Sequence, residues 1–397
     1  MQSQKAYLIR ILYFLVFCCT ASWLPVLADY CKSRGLTGTQ ISFILSITPI
    51  MMFAVQPLYG IFADRYGYKK TLLLASGFAA ISYAAYLYHG GYAWLIAVTI
   101  VMSVFYNTIQ PVLDSLSLQL EASNPLFSYG SIRIAGAAGW AFTGIITGQV
   151  IDQININMIF VISAISMVLF FGFALMLYND DKRGIAGNSL PVESASFQNI
   201  NRIIQNPALL LLLFCVFLIS VGATTIWNFY SLYLKENGAS ASLVGFGLSF
   251  QGLCELPLFF FSAAIITRFG LKQTLIITVM ATVLRLILYS IIKNPVAAIP
   301  IELLHGISWS LFWVVCVEYV NKLVDKNWLA TGQSLLYAAY FGIGAIAGNY
   351  WTGYLYDRHM KLANIFFLNA GIVFIVGILI ICFVKKVRNE KQAKIST

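Results

Sequence analysis

Apolar residues run along this chain in blocks of about twenty, the length a helix needs to cross ~30 Å of hydrocarbon. Marked at that length, the blocks predict twelve spans. Those of the first half are 7–29, 40–62, 71–88, 93–119, 129–151 and 157–178. Those of the second half are 207–233, 241–266, 274–292, 296–320, 331–355 and 363–384. The polar breaks are short except at 179–206, which is mixed in charge and carries Gly184, Gly187, Asn188, Ser189 and Pro191. The pattern therefore predicts an all-α membrane protein with two six-helix bundles, 1–178 and 207–384, a linker at 179–206 and a tail at 385–397.

Composition agrees with that pattern. The 397 residues are 59% hydrophobic and only 10% charged, with mean hydropathy +0.80, where a soluble domain carries about a quarter charged residues. The net charge of +10 raises the question of nucleic acid, and its distribution answers it. With the N-terminus inside, seventeen of the 25 Lys and Arg residues fall in inner segments, and six fall outside: Lys32, Arg34, Lys235, Lys293, Arg358 and Lys361. That asymmetry is the positive-inside rule and places both termini in the cytoplasm. The two basic residues left over, Arg133 and Arg285, lie inside spans.

Seven cysteines, six of them in apolar spans with only Cys31 expected near an aqueous face, imply no disulfide framework. The first span is too long for a signal sequence and reads as a mature helix. The absence of any N-x-S/T acceptor agrees with a bacterial inner membrane.

The two halves repeat. Ile41 to Ser46 (I-S-F-I-L-S) aligns with Val244 to Ser249 (V-G-F-G-L-S), and the same offset of 203 carries Asp64-Arg65-Tyr66-Gly67 onto Thr267-Arg268-Phe269-Gly270. Further on, T-G-Q-V-I-D, ending at Asp152, matches T-G-Y-L-Y-D, ending at Asp357. Parallel repeats of six helices are a transporter architecture. Gln56 to Lys70 (Q-P-L-Y-G-I-F-A-D-R-Y-G-Y-K-K) resembles the loop between the second and third helices of the major facilitator superfamily, with a weaker copy at Ala263 to Lys272. The resemblance implies that fold and a gating motif of Gly60, Asp64, Arg65 and Gly67, matched by Arg268 and Gly270.

Charge inside hydrocarbon costs at least ~2.5–3.5 kcal/mol per residue and marks a functional site with a partner. In the first half, Asp114 and Arg133 both sit roughly 8–9 Å below the inner interface at ~1.5 Å per residue, so they are expected to pair. Arg133, Gly136, Ala137, Trp140 and Gly144 share one face of the fifth span, offering a charge, bare backbone and an indole plate suited to a sugar or aromatic ring. In the second half, Glu255 lies near the middle of its span. Arg285, Glu302 and His305 share a depth, and Glu302, His305, Trp309, Phe312 and Cys316 fall on one face of a regular tenth helix. A network of Arg285 with Glu302 or Glu255, with His305 between them, is expected. Glu318 reads as an interfacial anchor.

Tyr129 to Trp140 resembles the fifth helix of the lactose permease branch of that superfamily, and Pro111 to Asp114 resembles its P-x-x-Glu. Leu304-His305, with Arg285 twenty residues upstream, matches its spacing on the ninth and tenth helices. The resemblance implies substrate contacts from Asp114, Arg133, Trp140, Glu255, Arg285 and His305, and proton coupling through Glu255, Glu302 and His305. The chain also departs from that branch: Ser308 stands where a coupling carboxylate is expected, and 223–228 and 333–349 carry no charge. The pattern is also similar to the phenylpropionate permease branch of the same superfamily.

The function expected is proton-coupled uptake of a sugar, glycoside or nucleoside by a monomeric secondary transporter. Uptake of an aryl carboxylate and proton-antiport efflux of amphipathic compounds are the alternatives. No Walker-type phosphate loop occurs, no metal-ligand or nucleophile spacing involves His89, His305 or His359, and no cofactor or nucleic-acid partner is implied.

Overall fold

A computed structural model describes residues 2–124, 129–177, 206–325 and 329–384. They form twelve helical rods and no strands among the described residues. In the first half these are α1 (Gln2–Ser33), α2 (Gly38–Tyr66), α3 (Tyr68–Ala85), α4 (Tyr92–Ser123), α5 (Tyr129–Gln153) and α6 (Met158–Leu175). In the second they are α7 (Pro207–Glu236), α8 (Ala241–Phe269), α9 (Leu271–Ile291), α10 (Pro295–Leu323), α11 (residues 329–357) and α12 (Leu362–Phe383). Ten rods contain a stretch long and apolar enough to cross a membrane. The other two are α3, whose first turn holds Lys69 and Lys70, and α11, whose α-helical turns are interrupted. Of the expected linker only Asn206 is described, and the tail lies outside the described residues.

Several rods are not uniform, for reasons visible in sequence. Pro25 in α1 cannot donate to the helix ladder, and Leu24–Val26 tightens to a 3-10 turn. α4 is interrupted at Asn107 and Thr108, just ahead of Pro111. In α10 a 3-10 turn at Glu302–Leu304 leads through His305 into a π-helical segment, Gly306–Leu311. A second π-helical segment, Ala338–Gly344, lies in α11. Gly67 and Gly270 end α2 and α8 with φ of 89° and 81°, a region only glycine enters freely. The repeated D-R-Y-G and T-R-F-G sequences thus make the same turn.

The chain divides into two compact units, Met1–Ser189 with Ala239–Gly252, and Leu190–Gly238 with Leu253–Thr397. In the first, α1 packs on α4, α5 and α6, and α3 on α6. In the second, α7 packs on α10, α11 and α12, and α9 on α12. The same partners recur six helices later, which is the sequence repeat expressed as packing. Buried hydroxyls are satisfied within each unit. Ser22 bonds Ser163 at 2.7 Å, and Asn369 donates to Thr225 at 2.7 Å. Many other hydroxyls bond the carbonyl one turn back, as Ser76 and Thr99 do.

Two polar clusters inside the helices

The first unit holds the expected acid and arginine, in a different arrangement. Asp114 lies on α4 just past Pro111, and its Oδ1 accepts from the Tyr13 hydroxyl at 2.5 Å and the Tyr129 hydroxyl at 3.1 Å. Ser117 in turn donates to the Tyr13 oxygen at 3.4 Å. Arg133 does not pair with Asp114. Its guanidinium lies over Phe17, 5.5 Å from the ring centroid, and its Nε is buried without a hydrogen-bond partner. The depth argument brought the two charges to one level, and both bear on the Tyr129 phenol. The two phenols share one carboxylate oxygen, Oδ1.

The predicted face of α5 also divides. Gly136 and Gly139 press against α1, where a Cβ would come 2.7 Å from the Phe17 ring and 2.3 Å from the Phe14 carbonyl oxygen. Trp140 donates its indole N–H to the Leu248 carbonyl at 3.3 Å, and its ring lies against Gly252. Gly144 meets Gly245 and Ser249. The small residues therefore serve close helix packing, while the Nε of Arg133 stays buried without a partner.

The second unit assembles its four charged or ionisable groups into one line. Arg285 on α9 donates through Nη2 to Glu302 Oε2, and through Nη1 to His305 Nδ1 at 2.7 Å. His305 Nε2 meets Glu255 Oε1 on α8 at 2.9 Å. Tyr289, one turn after Arg285, accepts from Arg285 Nε at 3.1 Å and donates to Glu302 Oε1 at 2.5 Å. Glu302 and Arg285 are sealed, with side chains 0% and 3% exposed, whereas the Glu255 side chain is 25% exposed.

The direction of these bonds fixes a protonation pattern. A guanidinium only donates, so His305 Nδ1 must accept and carries no proton. The imidazole proton is then on Nε2, pointing at Glu255. Glu302 has both oxygens engaged by donors, from Arg285 and Tyr289.

Around this line runs a set of aromatic rings. Trp227 stands edge-on to His305 at 5.4 Å and to Trp309 at 4.9 Å. Trp309 lies in the first π-helical segment and meets Tyr340 and Phe341 of the second at 5.3 and 5.7 Å. Because of the 3-10 and π turns, α10 does not present the single straight face the sequence predicts. Sequence reasoning named Trp309 but missed Tyr13, Phe17, Tyr289, Trp227, Tyr340 and Phe341. Only Tyr289 left a signal, its i+4 spacing from Arg285.

The remaining candidates lie at helix ends. Arg65 and Arg268 each lie over the following aromatic ring, Tyr66 at 5.5 Å and Phe269 at 5.6 Å, beside the turns at Gly67 and Gly270. Gly60 and the side chain of Asp64 lie outside the surroundings described. Glu318, 42% exposed, is 4.0 Å from Lys322. Cys31, expected near water, is buried.

Comparison with known proteins adds a family and relatives. The MFS_1 like family matches residues 7–368. A maltose permease of Geobacillus stearothermophilus is 26% identical over 379 residues, covering 94% of this chain and 93% of that protein. A sucrose permease of Escherichia coli is 24% identical over 401 residues, covering 95% and 93%. Among solved structures, the nucleoside transporter NupG superposes with a TM-score of 0.82 at 20% identity, over 96% of this chain and 99% of that one.

Proposed function

The chain belongs to the MFS_1 like family, and on that premise we propose that it is a proton-coupled transporter taking up a sugar, glycoside or nucleoside by alternating access. It works as a monomer in the inner membrane with both termini in the cytoplasm, and the proton gradient is its energy source. The full-length similarity to maltose and sucrose permeases supports the solute class, as does the nucleoside transporter of like fold.

The observation that carries the coupling is the line Glu302, Arg285, His305, Glu255. With His305 neutral, Arg285 balances Glu302 and leaves Glu255 as one uncompensated negative charge within the span. A proton on Glu255 brings the cluster to neutrality, the form that crosses between orientations at least cost in a low-dielectric setting. His305 Nε2–H donates to Glu255 in either state, so the proton is gained and lost without breaking the line. Glu302, held by Arg285 and Tyr289, is the fixed counter-ion. The carrier is Glu255, the member with exposed surface. Arg133 supplies the solute-binding donors in the first unit, since its guanidinium has no carboxylate partner there, and Asp114 supplies an acceptor oriented by its two tyrosines.

A thermal-shift screen of purified protein against sugars, nucleosides, aryl carboxylates and short peptides identifies the ligand, with Arg133→Ala as control. The expected result is stabilisation by a sugar or nucleoside that is lost in Arg133→Ala. Stabilisation by aryl carboxylates alone contradicts the assignment of solute class.

A further inference from the structure

Tyr289 has a counterpart in the first unit, and so do the bonds around it. Tyr30 donates to the Tyr86 carbonyl at 3.0 Å, and Tyr233, at the repeat offset of 203, donates to the Tyr289 carbonyl at 2.5 Å. Phe160 stands edge-on to Tyr30 at 4.7 Å, as Phe366 does to Tyr233 at 4.9 Å. The hydroxyl of each second tyrosine then reaches thirteen residues ahead: Tyr86 donates to the Thr99 hydroxyl at 2.7 Å, and Tyr289 to the Glu302 carboxylate at 2.5 Å. Both units thus share one tyrosine scaffold, which ties the first helix of each to the end of its third, and the third to the fourth.

What stands on that scaffold differs. At the same offset Arg285 falls on Ser82, Glu302 on Thr99, His305 on Met102 and Glu255 on Met52. Ser82, 4% exposed, donates to the Phe78 carbonyl at 2.8 Å, and Met102 is fully buried. The first unit therefore joins these helices by the same bonds with no ion at any of the four positions. In the second unit the Glu302 carboxylate brings a charge and a second oxygen that the tyrosine hydroxyl does not reach, and Arg285 meets both. Its other terminal nitrogen lies against His305 Nδ1 at 2.7 Å.

We propose that Arg285 and Glu302 are one positioning pair, set on a scaffold that holds without them, whose work is to keep His305 Nδ1 free of a proton. An imidazole that meets a carboxylate through Nε2 would otherwise take a second proton on Nδ1 and stand as an imidazolium beside Glu255, since an opposite charge favours the ionised form. A proton entering the line would then rest on the histidine, inside an ion pair. With a guanidinium at Nδ1, which only donates, it can settle only on Glu255. Glu302 cancels the charge that the guanidinium brings, and Tyr289 holds Glu302. The remaining titratable groups beside the line among the described residues, the phenols of Tyr230 and Tyr289 and the Cys254 thiol, carry no charge at neutral pH. The pair's use in coupling rests on the transport reading above; its hold on His305 does not.

The test copies the first unit's residues into the second, as Arg285→Ser together with Glu302→Thr, in purified protein whose labelled histidine nitrogens are read by NMR. His305→Gln separates the His305 signals from those of His89 and His359. Wild-type His305 should show a bare Nδ1 and a protonated Nε2 at neutral pH. In the double variant Nδ1 should carry a proton in the larger share of molecules, whereas Arg285→Lys, which again offers only donors, should keep it bare. Each single change, Arg285→Ser or Glu302→Thr, strands a buried charge, so the double variant should unfold at a higher temperature than either. A bare Nδ1 in the double variant overturns the positioning role, and unfolding below both single variants overturns the scaffold. Proton-driven accumulation of solute should be lost in the double variant. A protonated Nδ1 with undiminished accumulation leaves the pair's hold on His305 standing and overturns the coupling reading instead.

Discussion

At the scale of single residues, the two clusters differ in how completely their charges are matched. Asp114 takes both phenols on Oδ1, while Arg133 has no carboxylate partner and lies over Phe17 with its Nε unpartnered. The Tyr13 bond is the shorter of the two, and Tyr13 is fully buried. Tyr13→Phe is therefore expected to weaken solute binding about tenfold or more, and Tyr129→Phe less, as the loss of a hydrogen bond to a charged group of ~1.5–3 kcal/mol implies for the stronger contact. Equilibrium binding of the screened ligand measures both. In the second cluster the neutral, Nε2-protonated His305 can be imitated. Gln offers one acceptor and one donor at similar separation, so His305→Gln should retain proton-driven uptake. A lysine there, which cannot accept from Arg285, should abolish it. Tyr289→Phe removes the hydroxyl shared by Glu302 and Arg285 and leaves buried polar atoms short of a partner, at about 1–3 kcal/mol. A lower thermal transition of the purified variant checks this. Charged positions and depths were legible in the sequence because hydrocarbon makes them conspicuous. Phenol partners were not, since Tyr13 is 101 residues from Asp114 and tyrosine is unremarkable in a helix of this composition.

At the scale of elements, hydrophobic block length located the helices, and each of the twelve predicted spans corresponds to one rod. The departures from regular helix were less legible. Prolines announce the irregularities of α1 and α4, but nothing local announces the π-helical segments of α10 and α11. They carry Trp309, Tyr340 and Phe341, rings that pack together beside Trp227, and π-helical turns of this kind recur at functional sites. Gly306 begins the segment in α10, where a Cβ would stand 2.3 Å from the Cys254 carbonyl oxygen. Gly306→Ala is accordingly expected to push α10 from α8 beside the His305 and Glu255 contact, costing about 1–3 kcal/mol as overpacking does. Loss of proton-driven uptake with folding retained is the expected pair of observations, read by transport assay and thermal unfolding.

At the scale of the whole molecule, the offset of about 203 residues predicted a duplicated six-helix arrangement, and the packing partners repeat in that way. Function is not duplicated with it. The first unit carries Asp114 and Arg133, equal and opposite, and the second carries two carboxylates against one arginine with a neutral histidine. Under the proposed function, this asymmetry gives solute recognition chiefly to the first unit and the proton to the second. It was only half visible in sequence, which named Glu255, Glu302 and His305 together as coupling residues; the structure gives them different partners, Glu302 bonded by Arg285 and Tyr289 and Glu255 by His305. The most direct measurement is simultaneous recording of solute and proton movement in proteoliposomes, for the wild type and Glu255→Gln. The wild type should take up protons with solute. Glu255→Gln should carry solute down its gradient with no proton movement and support no uphill accumulation, whereas proton uptake accompanying solute in that variant would contradict the assignment.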